Sequence, residues 1–129
     1  EILRQGKDVT ILSVGYMSNV SLEAAALLKT KGIDCEVINA RFIKPLDQKL
    51  ILDSISRTGK LFTVEEGVSY GGFGSFVLES IADIAPDSAL IENIGLPDRF
   101  IEHGDRGVLL EKCGLSAKKI KEKILSCLK

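Results

Sequence analysis

The densest collection of reactive side chains in this 129-residue sequence is Gly95-Leu-Pro-Asp-Arg-Phe-Ile-Glu-His-Gly104. Asp98, Arg99, Glu102 and the single histidine, His103, crowd into one turn-rich segment. An imidazole, a guanidinium and two carboxylates at that density have the chemistry for proton transfer or phosphate recognition. No nucleophile accompanies them: no serine stands in an elbow motif, and no cysteine falls within the cluster. The segment reads better as a contact surface. Apolar Leu96, Phe100 and Ile101 alternate with charged Asp98, Arg99 and Glu102, the mix of an interface with an apolar centre and a polar edge. Arg99 has the fork geometry to bind a carboxylate across such a contact.

A second signal is Tyr70-Gly-Gly-Phe-Gly-Ser75, in which Gly72 and Gly74 form a GxG between a strand pattern and a helix pattern. A dinucleotide fingerprint needs a third glycine at position 77, where this chain has Val77. The glycines therefore read as a sharp turn with close backbone packing or an interface, with anion binding as the alternative. Glu65 and Glu66 end the preceding strand pattern. Neighbours on a strand point to opposite faces, so the two do not make a joint acid–base pair. They are expected to be solvated or ion-paired. Gly15-Tyr-Met-Ser-Asn19 follows the first core strand pattern, and there Ser18 or Asn19 is expected to cap a helix rather than to hold an anion. The turn lacks the second glycine and Lys-Ser/Thr pair of a P-loop.

The elements that position these groups alternate. Val9–Val14, Cys35–Ile38, Leu61–Val64 and Leu90–Ile94 are short apolar runs, read as buried strands. Between them lie helical faces: Val20, Ala24, Leu27 and Leu28; then Leu50, Ile51 and Ile55 behind an Asp47 cap; then Phe73, Val77, Ile81 and Ile84. Gly32 stops the first helix. Leu109 and Leu110 suggest a short helix closed by Gly114, and Ser116 caps a last helix with Ile120, Ile124 and Leu128 inward. Such alternation predicts an α/β fold, a parallel sheet covered by helices on both faces, with Glu1–Arg4 as an edge strand. The whole chain, 1–129, reads as one domain.

Composition excludes several functions. Seventeen basic and eighteen acidic side chains nearly cancel, which gives no pull toward nucleic acid or anionic membrane. The lysines at 118, 119, 121 and 123 read as a solvated helix face. No apolar run reaches membrane-spanning length, and no signal peptide is evident. The three cysteines, at 35, 113 and 127, are odd in number and lack CxxC spacing, so neither a disulfide framework nor a zinc site is expected. Cys35 reads as a small buried hydrophobe. The sequence begins with Glu1 rather than methionine, and a fragment of something longer is expected.

Val37-Ile-Asn-Ala-Arg-Phe-Ile-Lys-Pro-Leu-Asp47 and Thr63-Val-Glu-Glu-Gly67 with Gly71-Gly-Phe-Gly-Ser75 resemble C-terminal domains of the transketolase superfamily. Residues 95–104 resemble, more narrowly, the version in 1-deoxy-D-xylulose 5-phosphate synthases. The resemblance covers essentially the whole chain. It implies a three-layer α/β/α sandwich on a mixed, mostly parallel five-stranded sheet. It implies a parent enzyme that uses thiamine diphosphate and magnesium to condense pyruvate with glyceraldehyde 3-phosphate. The Gly-Asp-Gly motif with its later asparagine is missing, since Arg106 follows Gly104-Asp105. No catalytic, cofactor or metal residue is thus expected in this chain. Gly72, Gly74, Asp98, Arg99, Phe100 and His103 are the expected interface or inter-domain residues. The implied partners are the preceding domains and a second copy, in the cytoplasm or a plastid stroma. The alternatives are the matching domain of a 2-oxoacid dehydrogenase β subunit or a transketolase, or a stand-alone nucleotide-binding or receiver-like module. A receiver needs acids at the end of its first strand, where Ser13-Val14-Gly15 stands.

Overall fold

The computed structural model describes residues 1–14, 17–40, 47–68, 73–96 and 116–128. Within them run β1 (Ile2–Arg4), β2 (Val9–Ser13), α1 (Met17–Lys29), β3 (Cys35–Asn39) and α2 (Gln48–Thr58). They are followed by β4 (Lys60–Val68), α3 (Phe73–Ile81), β5 (Leu90–Leu96) and α4 (Ala117–Cys127). The strands form one sheet in the order β1-β3-β2-β4-β5. Among the described strands only β1 is antiparallel; it pairs with β3 at the sheet's edge, where the edge strand was expected, and makes the sheet mixed.

Alternation along each strand sends side chains to two faces. Val9, Ile11, Cys35, Val37, Phe62, Val64 and Ile94 pack with buried residues of α1 and α4. Leu12, Ile38 and Leu61 pack with Ile51 and Ile55 of α2 and with Val77 and Ile81 of α3. The helices thus cover both faces, each with its own apolar core, which gives the three layers. Burial of this kind contributes roughly 1.5–3 kcal/mol per large side chain.

Helix ends follow their local chemistry. The Asp47 carboxylate caps α2 by accepting from Leu50 N at 3.0 Å, and Ser116 caps α4 by accepting from Lys119 N at 3.2 Å. Gly32 and Gly59 take φ of +81° and +72°, the left-handed conformation that ends α1 and α2. Two helical faces depart from the sequence reading. Leu27 and Ile84 were expected inside, yet they are 38% and 53% exposed. α3 stops at Ile81, so Ile84 lies in the turn beyond it and loses the helical phase. On α1 the buried stripe runs through Ala25 and Leu28 instead. The short helix expected around Leu109 and Leu110 lies outside the described residues.

Candidate functional site

At the carboxyl end of β4, Thr63 and Glu65 share the face that looks toward α2 and α3. In β5, Asn93 stands in register with Thr63. The Thr63 hydroxyl donates to Asn93 Oδ1 at 2.6 Å. Beyond Val64 the register changes: Val64 pairs with Ile94, but Val68 pairs with Leu96. Four steps on β4 thus match two on β5, an irregularity that re-aims the side chains within it. Glu65, at this point, is only 3% exposed. Its carboxylate accepts from the Gly74 backbone N–H in the first turn of α3. Those first N–H groups have no intrahelical acceptor, and the helix dipole favours an anion beside them. Of the two expected states for Glu65, solvated or ion-paired, the solvated one is corrected: the carboxylate is buried, and a helix end helps to carry its charge. Gly74 is required here by close approach. A Cβ on it would strike the Asn93 side-chain amide, with Nδ2 only 2.7 Å away.

Next to this, the carboxyl ends of β2 and β3 meet the start of α1. Ser13 Oγ donates to Ser18 Oγ at 3.1 Å, and Ser18 Oγ donates to Asn39 Oδ1 at 3.0 Å. Ser18 lies inside α1 and spends its hydroxyl on this cross-link, so it is not the expected cap; Asn19 is exposed within the same helix. The Glu1 amine donates to the Asn39 carbonyl at 3.2 Å. Because β1 runs against the other strands, Glu1 sits at this same end of the sheet.

The opposite end holds a second buried carboxylate. Glu36, 2% exposed, accepts from Ser54 Oγ at 2.7 Å and from Arg57 Nη2 at 2.5 Å. Thr10 Oγ1 lies 2.6 Å from Ser54 Oγ and 2.8 Å from Thr58 Oγ1, which extends the network across β2. Gly6 N–H donates to the other Glu36 oxygen at 3.4 Å. An open cavity of about 440 Å³ adjoins it, lined by Ile2, Gln5, Gly6, Asp34, Glu36 and Arg57. Its charges are already matched, for Asp34 pairs with Arg4 at 3.4 Å and with Lys29 at 3.7 Å. Sequence reading missed this network, although an acid flanked by Cys35 and Val37 in a core strand was the signal.

Comparison with known proteins identifies the architecture. The family model for the transketolase C-terminal domain matches residues 1–120. The chain belongs to that family. As a transketolase C-terminal domain it is 46% identical, over 120 residues, to the 1-deoxy-D-xylulose-5-phosphate synthase of Heliobacterium modesticaldum; the match covers 93% of this chain and 18% of that protein. With the synthase of Pelotomaculum thermopropionicum the figures are 44% over 125 residues, 97% of this chain and 20% of that protein. The chain thus spans about one fifth of the length of the curated relatives it matches. Among solved structures, a split-gene transketolase described as an inactive beta4 tetramer superposes with TM-score 0.87 at 36% identity, over 98% of this chain and 40% of that one. Campylobacter jejuni transketolase, at 21% identity and TM-score 0.64, shares the fold.

Within this transketolase C-terminal domain, Gly74 is the expected contact residue that the structure places, and it stands in the Glu65–Asn93 cluster. Gly72, Asp98, Arg99, Phe100 and His103 lie outside the described residues. Glu66 belongs to β4. Cys35 is fully buried, and burial pushes its thiol up to about 12 from the ordinary 9.0, as suits an inert core residue. Lys118, Lys119 and Lys123 are exposed on α4. No described helix is long and apolar enough to cross a membrane. The described residues do not fit a magnesium–diphosphate group. Among them no three His, Cys, Asp or Glu side chains converge on a metal-sized space, and the α3 N-terminus already carries the Glu65 carboxylate.

Proposed function

We propose that this chain is the C-terminal domain of a 1-deoxy-D-xylulose 5-phosphate synthase, and that its part is architectural. It packs against the preceding domains and helps to join two copies of the enzyme. The observation that carries this reading is identity of 44–46% across at least 93% of the chain, matched to only 18–20% of each synthase. The implied parent condenses pyruvate with glyceraldehyde 3-phosphate, with loss of carbon dioxide, to give a precursor for isoprenoid and thiamine synthesis. Thiamine diphosphate, when bound with magnesium by the preceding domains, supplies that chemistry, while protein supplies orientation and electrostatics.

This chain's own contribution is the carboxyl end of its sheet, where β4 and β5 lead into residues 69–72 and 97–104 of the sequence. Gly72, Gly74, Asp98, Arg99, Phe100 and His103 act as contact or contact-supporting residues, not as catalytic ones. The split-gene transketolase, named as an inactive tetramer, agrees with assembly that is separable from catalysis. The cytoplasm, or a plastid stroma, is the compartment this reading implies. Calorimetric titration of the chain with thiamine diphosphate and magnesium tests it. No saturable heat is expected, and micromolar binding would overturn the assignment of cofactor handling to other domains.

A further inference from the structure

The open cavity beside Glu36 lies at the amino end of the sheet, between β1, the start of β3 and the last turn of α2. Its volume of about 440 Å³ is that of a small-molecule site. We propose that it binds a small zwitterion, a free α-amino acid with an apolar side chain.

Among the described residues around the cavity, Asp8, Asp34 and Glu36 stand against Arg4, Lys29 and Arg57, three acids with three bases. A lone cation or a lone anion meets as much repulsion as attraction there. A dipolar molecule is favoured at both ends, provided that groups of each sign keep free bonding capacity. They do. Arg57 commits Nη2 to Glu36, and its other N–H groups are uncommitted on a half-exposed side chain. Asp34 gives Oδ1 to Arg4 and Lys29 and leaves Oδ2 open. Glu36 gives Oε2 to Ser54 and Arg57, while Oε1 receives only the long 3.4 Å bond from Gly6 N–H.

The site is built before a ligand arrives. Glu36 is 2% exposed, and the hydroxyls of Ser54, Thr10 and Thr58 fix its carboxylate in place. An α-amino acid laid antiparallel to the Glu36–Arg57 ion pair sets its ammonium against Asp34 and Glu36 and its carboxylate against the outer edge of Arg57. Ile2, 38% exposed, is the apolar wall for the ligand's side chain. Gly6 keeps the floor low: a Cβ on it would collide with the Cys35 carbonyl, so residue 6 lies with its backbone flat on β3.

The test adds L-leucine to the full chain, measures affinity by saturation-transfer NMR and locates the contact by hydrogen exchange. Two further probes each lack one charge: 3-methylbutylamine keeps the ammonium, and 4-methylpentanoate keeps the carboxylate. L-Leucine is expected to saturate the site in about the millimolar range and to slow exchange at residues 2–6 and 34–36. Each one-charge probe should bind about tenfold more weakly or worse. Arg57→Gln should bring L-leucine down to the level of the amine, and Asp34→Asn should bring it toward the level of the acid. A merely structural role for either residue would weaken all three probes alike. Should Arg57→Gln lose its melting transition, Asp34→Asn decides by the same comparison. Absence of saturable binding overturns the site. So does a one-charge probe that binds as tightly as L-leucine, protection that appears elsewhere in the chain, or an unchanged L-leucine affinity in Asp34→Asn.

Discussion

Glu36 and Glu65 are both buried carboxylates on the same face of the sheet, yet they are solvated in different ways. Glu36, near the amino end of β3, is held by side chains: the Ser54 hydroxyl and the Arg57 guanidinium from the far half of α2. Glu65, toward the carboxyl end of β4, is held by the backbone of the first turn of α3. Crossover helices run back against parallel strands, so a helix presents its last turn to one end of the sheet and its first turn to the other. A carboxylate at the first end needs a donor side chain; at the second it finds free N–H groups. The comparison separates two uses of a buried charge. The Glu36 network fastens α2 across β2 and β3 in the body of the domain, whereas Glu65 joins the carboxyl end of β4 to the first turn of α3.

The sharpest way to break this comparison is Glu36→Ala. It strands the Ser54–Thr10–Thr58 hydroxyl chain and releases Arg57, and is expected to cost about 3 kcal/mol, in line with lost hydrogen bonds to a charged group. Urea unfolding should show a lower midpoint at unchanged slope, and self-association of the folded parent should be unaltered. A stability as high as the wild type's would mean that the network is merely tolerated. Arg99→Ala should do the converse. In the complete enzyme it is expected to weaken assembly by about 1–3 kcal/mol without moving the melting point of this domain. An intact dimer with a greatly raised KM for the phosphorylated substrate would instead make Arg99 a substrate ligand.

The smallest effect comes from outside both networks. The raised Cys35 thiol keeps its proton in the folded domain while the unfolded chain loses it. The stability this contributes is complete below about 9, the ordinary thiol value, and is lost as pH rises toward about 12. Cys35→Ala should flatten that alkaline slope in melts taken between those limits. A slope identical to the wild type's would assign it to other groups. Lys119→Ala, on the solvated face of α4, should stay within about 0.5 kcal/mol throughout.

Strand identity was readable because parallel strands buried on both faces need apolar runs, and Val9–Ser13 and Cys35–Asn39 have them. Caps were equally plain at Asp47 and Ser116, where one side chain and one N–H decide the outcome. Gly74 was singled out for close packing, which the Asn93 amide explains. What sequence hid was partnership. Glu65 read as solvated or ion-paired because its acceptor role depends on a helix end nine residues later and on a register change in β4. Glu36 went unremarked because its partners lie 18 and 21 residues away. Ser18 resembled a cap because the polar side chain that claims it, Asn39, comes from another strand. The helical faces failed where period alone was used: Ile84 fits the α3 spacing, but the helix ends before reaching it.

The reversed direction of β1 has a geometric consequence. Were β1 parallel, its first residue would lie at the amino end of the sheet, a full strand length from the Ser13–Ser18–Asn39 cross-link. Reversed, it brings Glu1 onto Asn39, whose N–H donates to the Glu1 carbonyl at 2.8 Å and whose carbonyl accepts from the Glu1 nitrogen at 3.2 Å. The Asn39 side chain accepts from Ser18 at the start of α1. One residue thus ties a three-residue edge strand to a core helix, so that fraying of β1 is resisted from inside the fold and not by its own few ladder bonds alone.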